Sequence, residues 1–159
     1  MPRKLPVQIL PDCKGRISAP ELRRIASYVL DQEGVAKNVT AEVVLGDNDT
    51  VRELNRLYRG RDEPTDVLSF ASAEGGFFQE SPDEAPSLGE VIVCLPVAEA
   101  QASAGSRPIG GEIAHLLVHG LLHILGHDHE DPGEGAKMKN REDELLAALG
   151  YAGGYEHGH

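Results

Sequence analysis

The chain has 159 residues, of which 26 are Asp or Glu and 15 are Lys or Arg, for a formal net charge of −11. This length suits one domain with one hydrophobic core, and the acidic total excludes a uniformly basic nucleic-acid-binding protein. The charge is uneven, because residues 1–61 carry eleven Lys or Arg against eight Asp or Glu, whereas residues 62–159 carry four against eighteen. A polyanionic partner is therefore expected to bind the N-terminal half.

Apolar alternation predicts strands, and helical spacing with capping residues predicts helices. In chain order, the strands are expected at 5–9, 39–46, 67–70 and 89–95, and the helices at 18–33, 47–58, 96–105, 109–126 and 131–149. Ser18, with Glu21 three residues later, is typical of a capping box at the first helix. Residues 71–88 lack periodicity and contain many helix breakers, which favours a flap or a disordered loop.

The interleaved order predicts an α+β fold with a small mixed β-sheet packed with helices. We expect one domain over residues 1–150 and a loose tail at 151–159. Cys13 and Cys94 are far apart and neither adjoins a histidine, so neither a disulfide framework nor a cysteine metal site is expected. The first residues lack the apolar segment of a signal peptide, and no apolar run approaches the roughly 20 residues that span a bilayer. A cytoplasmic protein without a membrane partner is the resulting expectation.

Three histidines form a stripe along the otherwise apolar helix expected at 109–126. They are His115, His119 and His123. Successive members are four residues apart, so each lies one turn and about 40° from the next. His119 and His123 can both point a ring nitrogen at one metal ion. Gly126 can adopt left-handed dihedrals and reverse the chain, which would place His129 over the same face as a third ligand. An all-imidazole site favours Zn²⁺, with Ni²⁺ or another divalent transition metal as alternatives.

Three residues near these ligands can each be interpreted in two ways. His115 lies one turn farther from the ion and is either a residue behind the ligands or one that faces the substrate. His127 is a histidine at the helix end or simply on the surface. Asp128 either orients a ligand imidazole or is a solvated acid in a turn.

The spacing H-x-x-x-H-x-x-G-x-x-H equals that of the metzincin proteases. Those enzymes place a glutamate general base directly after the first histidine, whereas this chain has Gly120, which we interpret as clearing space. Glu112 lies two turns before His119 and is interpreted as a helix-start acid. A metalloprotease or another hydrolase therefore fits the ligand spacing but lacks its proton acceptor. A non-catalytic protein with a structural metal would need a fourth protein ligand, such as Asp128.

A second motif, LNRLYRGRDEPTDVLSF, spans residues 54–70 and belongs to a run rich in arginine. The arginines are Arg52, Arg56, Arg59 and Arg61. A guanidinium group matches phosphate oxygens in a bidentate manner, although such a cluster is also typical of a solvated helix face.

Together, LNRLYRGRDEPTDVLSF, LGEVIVCL and HGLLHILGHDH resemble the YbeY family of bacterial rRNA-maturation endoribonucleases over about residues 40–150. Two departures, Ile124 where Leu is usual and His127 where Tyr is common, remove no ligand. The resemblance implies an α+β fold similar to that of the zincin metallohydrolases. It implies a metal-dependent endoribonuclease that is specific for single strands and acts in rRNA processing and ribosome quality control.

The resemblance also implies site residues and partners. It places the metal ligands at His119, His123 and His129, and functional residues, which we interpret as catalytic, at Arg59 and His115. We expect Arg59 to stabilise the phosphorane charge. The partners are ribosomal RNA, the small ribosomal subunit and assembly factors, and a non-catalytic assembly factor with a structural metal remains the alternative.

Overall fold

The computed structural model describes residues 3–72, 86–127 and 132–151. In chain order, these ranges contain β1 (Val7–Ile9), a 3-10 turn (Pro11–Cys13), α1 (Ala19–Gln32), β2 (Thr40–Gly46), α2 (Asn48–Arg59), β3 (Val67–Ala71), β4 (Ser87–Cys94), α3 (Leu95–Ala104), α4 (Ile109–Ile124) and α5 (Pro132–Leu149). Every predicted helix and strand is present near its expected bounds. The 3-10 turn is an addition, because three residues are too few to give a periodic pattern. Most of the predicted loop, 73–85, and residues 152–159 of the predicted tail lie outside the described residues.

The four strands form one sheet in the order β1-β2-β4-β3. β1 and β2 are parallel, as are β2 and β4, whereas β3 runs antiparallel to β4. β4 is therefore paired along both edges, which agrees with its nearly continuous apolar sequence. The prediction of an α+β fold with a small mixed sheet is confirmed.

Helices cover both faces of this sheet. α1, α4 and α5 pack around the larger core, which includes Val43, Val91 and Leu117. α2 covers the opposite face over a smaller cluster that includes Phe70 and Ile92. α4 contacts α1, α3 and α5 as well as β3 and β4, so the helix that contains the histidine stripe is the most enclosed of the five.

Local capping follows the sequence at several helix ends. The Ser18 hydroxyl accepts a hydrogen bond of 3.1 Å from the amide of Glu21, as the capping pattern predicts. The Asp47 carboxylate accepts from the amide of Thr50 at 2.8 Å and begins α2. Within the described ranges, every helix is too short or too polar to cross a membrane.

Candidate active site

The three histidines of α4 differ in exposure because one end of the helix is buried and the other reaches the surface. His115 is only 1% exposed, His119 is partly buried, and His123 is exposed. A polar stripe on an otherwise buried helix therefore emerges from the core at His119 and His123, the two predicted metal ligands on this helix.

Gly126 ends this helix in the conformation that the sequence predicts. Its φ is +100°, in the left-handed region. The amide of Gly126 donates to the carbonyl of His123 at 3.1 Å, and that of His127 donates to the carbonyl of Leu122 at 3.0 Å. This pair of bonds is the Schellman arrangement of a helix C-terminus, so α4 ends at Gly126 with the left-handed residue that the sequence predicts there.

His127 is held in place at this turn and is partly buried. Its Nε2 atom lies 2.7 Å from a carboxylate oxygen of Glu33, and Arg141 donates to the other oxygen at 2.8 Å. The end of α4 is thereby tied to α1 and α5. Asp128 and His129 lie outside the described residues, so the roles of His129 as third ligand and of Asp128 stay predictions.

An open cleft of about 480 Å³ lies beside the exposed end of the histidine stripe. His119 and His123 line it together with residues from the end of α2, the following turn and β3. These other lining residues include Asn55, Arg59, Arg61, Glu63, Asp66 and Ser69. His115 is not among the lining residues, so its buried position favours a place behind the ligands, and its predicted catalytic role stays untested.

Arg59 is fixed against β3 by two contacts. Its Nη2 atom donates to the carbonyl of Ser69 at 2.9 Å, and its guanidinium carbon lies 4.6 Å from the ring centroid of Phe70. Tyr58 packs edge-to-face on the same ring, with centroids 5.4 Å apart. These contacts restrict the side chain and leave it at the cleft, where an anionic group could be bound.

The other arginines of the predicted cluster do not share this setting. Arg52 pairs with Asp62 at 2.7 Å, and Arg56 pairs with Glu53 at a similarly short distance. Neither Arg52 nor Arg56 lines the cleft. Arg61 lines the cleft but is exposed and pairs with Glu63 at 4.0 Å, so Arg59 alone of the four has its guanidinium group packed against β3.

Gly120 allows α4 to approach the sheet closely, which agrees with the interpretation that this glycine clears space. A Cβ atom at this position would lie 2.6 Å from the Cγ1 atom of Val91 and 2.9 Å from the hydroxyl of Ser69. Glu112, in the first turn of α4, is 1% exposed and accepts from Arg107 at 2.7 Å. Gly120 has no side chain, and Glu112 is buried and does not line the cleft, so neither position supplies a carboxylate base to it.

Glu142 is a residue of the candidate site that the sequence motifs did not identify. It belongs to α5, is 4% exposed, and has each carboxylate oxygen against a different histidine of α4. Oε1 lies 3.0 Å from Nε2 of His115, and Oε2 lies 2.6 Å from Nδ1 of His119. Burial alone would raise the pKa of Glu142, but the hydrogen bonds with His115 and His119 outweigh it and lower this pKa to about 2.

A sequence signal for Glu142 does exist. Met138, Leu145 and Leu149 follow helical spacing on the buried face of α5, and Glu142 falls between them on the same stripe. A carboxylate at a core position is rarely tolerated without a partner. The inward-facing acid could therefore have been matched to the inward-facing histidines.

The described residues at the cleft form a part of a site that fits a divalent metal ion. His119 and His123 supply imidazoles one turn apart at an open cleft, and a carboxylate supports His119 from behind, which is the usual arrangement of metal-binding histidines. Within residues 3–72, 86–127 and 132–151, no three His, Cys, Asp or Glu side chains group as a metal site. That result agrees with a three-histidine site whose third predicted ligand, His129, lies outside those ranges.

Comparisons with known proteins agree with one another. The family model described as Endoribonuclease YbeY matches residues 13–150. A Halorhodospira halophila protein named Endoribonuclease YbeY is 42% identical over 143 residues, covering 87% of this chain and 90% of the relative. A Dehalococcoides mccartyi protein of the same name is 41% identical over 145 residues, covering 86% and 84%.

The fold has a solved counterpart as well. The solution structure of TM1509 from Thermotoga maritima aligns with a TM-score of 0.59 and 25% sequence identity, covering 91% of each chain. The motif resemblance found in the sequence is thus confirmed over nearly the whole chain. This chain belongs to the YbeY family of endoribonucleases.

Proposed function

We propose that the chain is a metal-dependent endoribonuclease that cleaves single-stranded RNA during rRNA processing and ribosome quality control. The observation that supports this most is one cleft that Arg59, His119 and His123 line together. The shared name of its relatives, Endoribonuclease YbeY, supports RNA as the substrate class.

His119 and His123, together with His129, are the residues that would hold the metal. Zn²⁺ is the ion we propose, because three neutral imidazoles form a donor set that suits zinc, and Ni²⁺ is the alternative. When bound, such an ion supplies Lewis acidity to a phosphate oxygen or to an attacking water molecule.

The chain's own residues perform the rest of the chemistry. The guanidinium group of Arg59 donates to non-bridging phosphate oxygens and stabilises the negative charge that builds up on them during cleavage. Its contacts with Ser69 and Phe70 fix it before the substrate arrives, so little reorganisation is needed. Water or the ribose 2′-OH is the nucleophile, and the chemical form of the product 3′ end distinguishes them.

The cleft also favours single strands. Its volume of about 480 Å³ lies within the range of small-molecule pockets, and a flexible single strand can present one phosphodiester to it. The chain has no Trp, three Phe and four Tyr, which argues against a platform that stacks several bases. We therefore propose weak, backbone-directed RNA binding that depends on delivery by the small ribosomal subunit and assembly factors in the cytoplasm.

The test compares substrates and metal states in one assay. Purified protein is stripped with a chelator, reloaded with one equivalent of Zn²⁺, and incubated with end-labelled single-stranded RNA, the same RNA annealed to its complement, and casein. We expect cleavage of the single strand alone, lost on stripping and in His119→Ala and His123→Ala. RNA cleavage that persists without metal would overturn the proposal. Casein hydrolysis would restore the protease alternative, and ribosome binding without any cleavage would favour the assembly factor.

A further inference from the structure

The carboxylate of Glu142 connects two histidines that have different environments. His115 is 1% exposed and does not line the cleft, whereas His119 does. Both contact the same carboxylate, at 3.0 Å for His115 and 2.6 Å for His119. Each oxygen of Glu142 therefore has one imidazole partner, and the carboxylate is held on both sides.

These contacts favour one tautomer of His119. A carboxylate oxygen 2.6 Å from Nδ1 of His119 favours the form in which Nδ1 carries a proton and donates it to Glu142. In a neutral imidazole, Nε2 then holds the lone pair. Nε2 is the nitrogen by which His119 would bind a metal ion, and its direction is set by a bond on the opposite side of the ring.

A longer row of ionisable groups lies behind this pair. Nδ1 of His115 lies 3.9 Å from Oε2 of Glu112, and Arg107 donates to the other oxygen of Glu112 at 2.7 Å. The row runs from Arg107 through Glu112, His115 and Glu142 to His119, and every member beyond Arg107 is buried or partly buried. His115 is thus placed to hold Glu142, and its ring also lies edge-on to that of His119, with centroids 6.5 Å apart, without lining the cleft.

We infer that Glu142 is a positioning residue that fixes the tautomer and direction of His119 for metal binding, and that His115 acts through Glu142 without touching the substrate. This inference deepens the proposed function, because it rests on the metal site at His119 and His123. It assigns to α5 a part in a site whose described ligands both belong to α4.

The first test needs neither metal nor a variant of Glu142. Nitrogen-15 NMR of histidine-labelled, metal-free protein distinguishes imidazoles protonated at Nδ1 from those protonated at Nε2, and loss of a resonance in His119→Gln identifies His119. We expect Nδ1 of His119 to carry a proton. An Nδ1 atom without a proton in the metal-free wild type would overturn the inference whatever the activity.

The second test measures metal affinity by competition with a chromogenic zinc chelator. We expect Glu142→Gln to weaken Zn²⁺ binding by about 10- to 100-fold and Glu142→Asp to recover part of that loss. Glu144→Gln is the matched control, because it removes the same charge from an exposed position of α5 and should bind Zn²⁺ as the wild type does. The thermal unfolding of each metal-free variant shows whether its fold is intact.

A double-mutant cycle tests the part assigned to His115. If His115 acts through Glu142, His115→Gln weakens Zn²⁺ binding in the wild type but adds little in the Glu142→Gln background. If the wild type binds one Zn²⁺ and a folded Glu142→Gln variant binds Zn²⁺ with the same affinity, this inference is overturned and the proposed metal site is not. A wild type that binds no Zn²⁺ overturns the proposed metal site and this inference with it.

Discussion

The hydroxyl of Ser69 donates a hydrogen bond of 3.1 Å to the carbonyl oxygen of Gly120. This bond joins β3 to α4 directly beside His119, and the carbonyl of the same serine accepts from Arg59. Ser69 therefore connects Arg59 to the helix that contains His119 and His123. Arg59 and His119 belong to a single packed unit, which suits two groups that must act on one phosphodiester.

We expect Arg59→Ala to lower kcat/KM for single-stranded RNA by about 10²- to 10³-fold, because a preorganised donor to the developing charge is lost. Arg59→Lys should recover only part of this, since lysine keeps the charge but not the bidentate geometry. Arg56→Ala is the control, because Arg56 pairs with Glu53 outside the cleft. Steady-state cleavage kinetics provide the comparison, and equal activity of the Arg59→Ala and Arg56→Ala proteins would refute the assigned role.

Gly120→Ala should destabilise the fold by about 1–3 kcal/mol, because its Cβ would press on Val91 and Ser69 between helix and sheet. Gly110→Ala is the matched control on the same helix. A Cβ at Gly110 meets nothing within 4 Å, so this change should be neutral or stabilising by up to about 1 kcal/mol. Urea unfolding of both variants measures the difference. Equal stabilities would show that Gly120 does not govern the approach of α4 to the sheet.

RNA binding should weaken as salt rises, in proportion to the few phosphates that are contacted. With Arg59 and Arg61 as the cleft cations, a plot of log K against log salt should have a slope of about −1.4, since each contacted phosphate on a single strand contributes about −0.7. Arg61→Ala should make the slope shallower by about 0.7. Fluorescence anisotropy between about 50 and 200 mM salt measures this. A flat salt response in the wild type would contradict backbone-directed binding.

The pair formed by Arg3 and Asp31 should make part of the stability depend on pH. Hydrogen bonds from Arg3, and then from Lys37, lower the pKa of Asp31 below its ordinary value. The contribution of Asp31 is therefore fully present above about pH 3.9, the unfolded value, and is lost as the pH falls through the lower folded pKa. Asp31→Asn should cost about 1–2 kcal/mol at neutral pH.

That cost should shrink in acid, as the pH falls through the lowered pKa of Asp31 and the wild-type carboxylate is protonated as well. Urea titrations at neutral and acid pH give the free energies of unfolding, and Asp12→Asn, at an exposed acid of the 3-10 turn, is the control. A cost that is independent of pH would show that the ionised form of Asp31 is not what stabilises the fold.

Features set by local geometry could be predicted from the sequence. The histidine stripe follows from helical spacing, and the reversal at Gly126 follows from the freedom of glycine to adopt positive φ. The division of the arginine cluster could not be predicted. It depends on which acids the turn after α2 brings close, as when Asp62 returns to Arg52. The sheet order β1-β2-β4-β3 also depends on tertiary packing that no single segment specifies.

Glu142 shows the same limit at the site itself. Its contacts with His115 and His119 span 27 and 23 residues of chain, and they exist only because α5 packs against α4. In the sequence of α5, Glu142 is one of several acidic residues. Only its inward-facing position in the fold identifies it as part of the site. Residue spacing within one segment does not predict contacts between buried polar groups that are far apart in the chain.

We propose that His119, His123 and His129 together hold one catalytic metal ion at the cleft that Arg59 lines. The most direct measurement is zinc stoichiometry after equilibrium dialysis at fixed free Zn²⁺, for the wild type and for Ala variants at each of these three histidines, with His127→Ala as control. We expect one Zn²⁺ per wild-type or His127→Ala chain, and we expect each of the three ligand variants to lose both that ion and the RNA cleavage activity. A wild type without stoichiometric zinc or nickel, or a His129→Ala protein that keeps both metal and activity, would contradict it.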